Sequence, residues 1–205
     1  MPSIEYDPSR LALLSPEARP TVFARGTVYT SLQVAVEAAR LAYVRAEEGG
    51  AVRQGLVDAL DSIGFSQPAI FTDDKTGSAA FAAFRAVDGL AIVSFRGTQP
   101  DEVSDLATDL HANRRPWKPG MGNVHAGFAT AALSLEEPIA EWLGTGGAAR
   151  KQLILTGHSL GAAMATLLAT VFPATELVSA VPAFPLDRRG GSHQSACRPT
   201  SRPTL

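Results

Sequence analysis

Apolar residues recur along the chain in two periods, and the switch between them marks out the elements. From Ser31 to Glu48 they fall at Val34, Ala38, Leu41, Ala42 and Val44, the spacing of one helix face. Ser31 is the expected N-cap and Gly49 the stop. Residues Ala51–Ile63, closed by Gly64, predict a second, shorter helix. Two apolar runs follow, Ser78–Ala86 and Leu90–Phe95. Between them Asp88-Gly89 is a hairpin signal, so the runs predict an antiparallel pair.

From Gly97 to Asn123 the chain turns polar and irregular, with Pro100, Pro116, Pro119, Gly120 and Gly122 around an Asp-rich patch. One short helix fits near Glu102–His111. Helical periodicity returns over Ala129–Leu143, where Pro138 is expected to bend or divide the helix. The run "QLILT" predicts a strand, Ala162–Thr170 a helix and "ELVSAV" another strand. Strand, helix and strand in that order imply a right-handed parallel crossover. The expectation is an α/β fold, a mostly parallel sheet flanked by helices.

One stretch in this crossover carries candidate chemistry. Gly157-His158-Ser159-Leu160-Gly161 fits G-x-S-x-G between a strand and a helix, the setting in which this motif forms a nucleophile elbow. The turn is so tight that residues two before and two after the serine must be tiny, which Gly157 and Gly161 supply. Ser159 would then stand above the sheet at a helix N-terminus, where the dipole and free N–H groups favour negative charge. The N–H of Leu160 would be one oxyanion donor. The plain alternative is a glycine-rich turn in which Ser159 merely caps the helix. His158 lies inside the elbow with its side chain expected to point away from that of Ser159, so it is a poor general base.

Composition and charge narrow the class. The chain has 205 residues, 45% of them hydrophobic, and its mean hydropathy is +0.06, enough for one domain with a core. The net charge of -2 creates no field that would gather nucleic acid, and the basic residues form no stripe. The single Cys197 excludes an internal disulfide and reads as an incidental tail thiol. The N-terminus lacks the basic and apolar regions of a signal peptide, and no run reaches the roughly 18 apolar residues of a membrane span. A cytoplasmic location, without metal, cofactor or defined protein partner, is the expectation.

Three motifs in order now carry a resemblance. "FRGT" ending at Thr98, "NVHAGF" over Asn123–Phe128 and "LTGHSLGAAMATLLA" resemble the class 3 lipases, the fungal-lipase-like α/β-hydrolases, over about Ser31 to Ala169. The resemblance implies hydrolysis of carboxylic esters of lipid type, with transient contact with a lipid surface. It also implies that Thr98 is the second oxyanion donor; a turn residue satisfying its own backbone is the other reading. The segment Gln99–Asn123 stands where relatives carry a lid, and Pro116, Trp117 and Met121 would cover an apolar pocket; an ordinary surface loop is the alternative. His125 matches a core or site-adjacent position, and His111 reads as a solvated loop residue.

In α/β-hydrolases an acid and then a histidine follow the serine. The tail from Pro182 is rich in Pro, Arg, Ser and Gly and too poor in apolar residues to order itself. Each further βαβ unit would need about 30 residues. The family usually continues with such units, so the break near Pro182 reads as C-terminal truncation or a frameshift. An acid and a histidine do occur there in the right order, Asp187 and His193, and are the candidate acid and base. The expected organisation is an N-terminal extension over 1–30, a lipase-like domain over 31–181 and an irregular tail over 182–205. Two other readings remain open: a catalytically incomplete remnant that binds lipid, and a thioesterase or acyltransferase built on the same elbow.

Overall fold

The computed structural model describes residues 19–97, 113–173 and 176–180, with backbone alone for 177–180. Helix α1 is Ser31–Leu41, a 3-10 turn spans Ala46–Glu48, and α2 is Gly50–Asp61. Strands β1 (Ala69–Asp73), β2 (Ser78–Arg85) and β3 (Leu90–Phe95) follow. A small hairpin, β4 (Arg114–Pro116) and β5 (Asn123–His125), leads into the long helix α3, Ala126–Gly144. Strand β6 (Gln152–His158), helix α4 (Leu160–Leu168) and strand β7 (Glu176–Ala180) complete the described chain.

The main sheet has the order β1-β2-β3-β6-β7. Its first three strands pair antiparallel, whereas β3 with β6 and β6 with β7 pair parallel, Phe95 standing opposite Gly157. The hairpin and the parallel crossover expected from the sequence are both present. Strand β1 was not legible there: its five residues are mostly half-buried and lack alternation, so its pairing with β2 defines it.

Because side chains alternate across a strand, the sheet feeds two cores. Ala80, Ala82, Ala91, Val93, Phe95, Leu153 and Leu155 meet α3 and α4 on one face. Phe81, Ala83, Leu90, Ile92 and Ile154 meet α1 and α2 on the other. Two polar residues share this second face without being orphaned. Ser94 Oγ donates to the Ala38 carbonyl at 2.9 Å and Thr156 Oγ1 to the Ala35 carbonyl at 3.0 Å, so buried hydroxyls tie the sheet to the backbone of α1.

Helix α1 differs from its expected form at both ends. Thr30, not Ser31, is the N-cap, in a capping box with Gln33, which satisfies orphan N–H groups reciprocally. The helix stops at Leu41, short of Glu48, because the chain tightens: Tyr43 N–H bonds to Arg40 O and Val44 N–H to Leu41 O. Tyr43 is thereby turned inward and is buried. Glu37 on α1, 5% exposed, accepts from Thr21 Oγ1 at 2.8 Å and pairs with Arg40 at 2.6 Å. With Phe23 in the second core, these bonds strap the segment before α1 to the sheet.

Helix α3 runs through Pro138 without dividing. Its buried residues Leu135 and Ile139 lie on either side of the proline, and that packing holds the two halves in line. The hairpin β4–β5 lies inside the stretch expected to be irregular. The short helix expected near Glu102–His111 and the tail from Pro182 lie outside the described residues.

Candidate active site

Strand β6 ends and helix α4 begins within one residue, Ser159. Its φ of 55° and ψ of −123° make it the one non-glycine with positive φ among the described residues. Such a backbone costs about 1–3 kcal/mol and persists only where surrounding packing enforces it. The enforcement is visible in two glycines. A Cβ on Gly157 would strike the carbonyl group of Gly161 and come within 2.9 Å of Ala162 N. A Cβ on Gly161 would strike the Phe95 carbonyl at the end of β3. Only hydrogen at both positions lets the first turn of α4 fold back over the strand ends.

Ser159 makes no side-chain cap to α4, which removes the capping alternative. Its carbonyl accepts from the N–H groups of Ala162 and Ala163 at 3.0 and 3.3 Å. Its half-buried side chain stands at the positive end of the helix dipole, where developing negative charge is stabilised. Leu160 is the first helical residue, so its N–H lies among the amides without a partner inside the helix.

Gly97, the last described residue before Thr98, also abuts the elbow. A Cβ there would lie 3.2 Å from Ser159 Cβ and would strike the His158 carbonyl and the Tyr43 hydroxyl. The chain just past β3 is thus pressed against the serine. Thr98 itself, like Asp187, His193 and His111, lies outside the described residues.

His158 shares the face of Thr156 and Ile154, the side of α1, and its Nδ1 meets the Tyr43 hydroxyl at 2.8 Å. The direction of that bond follows the ring tautomer. Burial holds the His158 pKa below its usual value and pushes the Tyr43 phenol up to about 12, with the nearby Arg96 charge opposing the rise. Both rings are therefore neutral near pH 7. Tyr43 is the residue the sequence reading missed; the parity of β6 points His158 toward α1, but nothing local shows which residue waits there.

The lid-like expectation for Pro116, Trp117 and Met121 is corrected. Trp117 is 9% exposed in the core formed with α3 and α4, and its Nε1–H donates to Thr170 Oγ1 at 2.8 Å. Thr170 lies just beyond the C-terminal end of α4, the end opposite Ser159, so Trp117 fills a groove between helices instead of covering the elbow. Pro116 and Met121 are exposed. His125 is the N-cap of α3; its Nδ1 is buried without a partner and its ring stacks obliquely on Phe128 at 4.8 Å. Among the described residues no group of His, Cys, Asp and Glu side chains is placed to hold a metal, and no helix is long and apolar enough to cross a membrane.

Comparison with known proteins bears on this elbow directly. Residues 92–185 match the model of the lipase (class 3) family. No curated protein matches the chain. Several solved structures do. A mono- and diacylglycerol lipase from Aspergillus oryzae is 24% identical, over 70% of this chain and 58% of that one, with a TM-score of 0.53. A lipase from Rhizopus microsporus var. chinensis is 22% identical over 81% and 63%, with a TM-score of 0.52. A Rhizomucor miehei lipase in complex with its propeptide is 20% identical over 76% and 52%, with a TM-score of 0.55. The chain spans little more than half the length of these lipases, and at such identities the likeness establishes the fold, the lipase α/β-hydrolase. Residues 92–185, which take in most of β3, the strand-to-helix elbow and the strand beyond it, are thus similar to the class 3 lipase family over a little under half of the chain.

Proposed function

We propose that the chain is a serine carboxylic ester hydrolase of lipase type acting on ester or lipid substrates. The observation that carries the reading is the positive φ of Ser159 between Gly157 and Gly161, a strained turn that raises a hydroxyl at a helix N-terminus without using it as a cap. Ser159 Oγ attacks the acyl carbonyl and forms an acyl-enzyme, with the alcohol as leaving group; water then releases the acid. The N–H groups of Leu160 and Thr98 hold the tetrahedral oxyanion, and each such donor is worth about 2.7–4 kcal/mol of transition-state stabilisation. The base and acid proposed for proton transfer are His193 and Asp187, the pair that follows the serine in the order of this fold.

The test is hydrolysis of a short-chain p-nitrophenyl ester by the full chain beside its Ser159→Ala variant. The expected outcome is loss of activity on the order of 10⁶-fold in kcat, the scale seen when a triad serine is removed. Equal rates in the two proteins would overturn the proposal.

A further inference from the structure

The turn that follows α1 touches both strand ends from which the elbow is built. Tyr43 reaches His158, the residue before Ser159, at 2.8 Å. The same hydroxyl sits where a side chain on Gly97 would begin, and Gly97 precedes Thr98. Four residues further along, in the 3-10 turn, Glu47 pairs with Arg96. Arg96 and His158 belong to adjacent strands whose registered pairs end at Phe95 and Gly157. Both side chains fall on the α1 face by strand alternation. Residues 43–47 therefore hold the β3 and β6 ends together from below, on the side away from α4.

We propose that Tyr43 is a positioning residue for the nucleophile, fixing through His158 and Gly97 the separation between the serine and the turn that carries the second oxyanion donor. The inference rests on Ser159 being the nucleophile. Ser159 sits in a strained conformation that relaxes unless its neighbours over-determine it. On one side the enforcement comes from Gly157 and Gly161 packed under α4; on the other it comes from the Tyr43 bond. Burial raises the phenol to about 12, so the hydroxyl keeps its proton and the bond persists through the neutral range. Removing the hydroxyl leaves His158 Nδ1 without its partner and opens a gap beside Gly97, and both changes loosen the elbow without touching the acyl carbonyl.

A short-chain fluorophosphonate, which the nucleophile attacks with loss of fluoride, reads the geometry without needing turnover. The full chain and its variants are mixed with the reagent, and adduct formation is followed by intact mass to give the maximal rate and the half-saturating concentration. Tyr43→Phe is expected to lower the maximal rate on the order of 10-fold, the scale of one hydrogen bond, with the half-saturating concentration unchanged. His158→Ala behaves alike, and the double variant is no slower than His158→Ala alone. His158→Asn, whose amide can stand where Nδ1 stands, recovers most of what His158→Ala loses. A Tyr43→Phe protein with a lowered melting temperature but the parental rate would overturn the positioning role while leaving the nucleophile intact. Should Tyr43→Phe fail to fold, equal rates for His158→Ala and His158→Asn would overturn it equally. A parental chain labelled no faster than Ser159→Ala would overturn the nucleophile reading, and the inference with it.

Discussion

At the scale of single residues, the elbow is decided by hydrogen atoms at two glycines and one bond between rings. Gly157 and Gly161 admit no Cβ, because backbone atoms of α4 and β3 occupy the space. His158 gives this site a pH signature. Its folded pKa lies below the ordinary value of 6.5 because burial disfavours the charged ring, so the unfolded chain binds the extra proton first. Its contribution to stability is then fully present above about pH 6.5 and is lost as the pH falls. Tyr43 adds nothing in that window, since its proton is retained up to about 12. Melting temperatures from pH 8 to 5 should show the difference between the parental chain and His158→Asn shrinking as acid is added. A constant difference would mean that His158 does not titrate differently on folding.

Elements show a division of labour between local signals and distant partners. Helix α1 is announced by its periodicity, yet its cap falls at Thr30, one residue before the expected Ser31, and its end is set by the inward turn at Tyr43. Helix α3 survives Pro138 because Leu135 and Ile139 are both fully buried; tertiary packing outweighs the lost bond. The hairpin β4–β5 is held at one point by Trp117, bonded to Thr170, and at another by Lys118, paired with Glu136 at 2.8 Å. The ion pair is partly exposed and contributes little, so the indole is the anchor. Trp117→Ala should destabilise the protein by about 3–5 kcal/mol, whereas Lys118→Ala should cost well under about 1 kcal/mol. Urea unfolding of both variants decides it; comparable losses would mean that the hairpin is held by charge.

For the whole molecule, the central strands serve two cores at once. Ile154 and Leu155 are neighbours in β6, but one faces α1 and α2 and the other faces α3 and α4. Neither side can be lost while the other stays intact, since both rest on the same backbone ladder. Ile154→Ala and Leu155→Ala should each cost about 2–5 kcal/mol and shift a single cooperative transition. Two separate transitions in either variant would show that the faces unfold independently.

The sequence by itself determined what depends on neighbours in the chain. Helical spacing before Leu41, the Asp88-Gly89 turn and small residues two on either side of Ser159 are local requirements, and each left its mark in order. The parallel run of β6 and β7 was also legible, because a strand-helix-strand succession leaves few topologies. Tertiary structure alone decided the rest. Strand β1 exists through its register with β2, Trp117 finds Thr170 across 53 positions, and Tyr43 finds His158 across 115. Such partners meet only after the sheet has formed and brought helix ends to strand ends, and no periodicity along the chain encodes which side chain will be standing there.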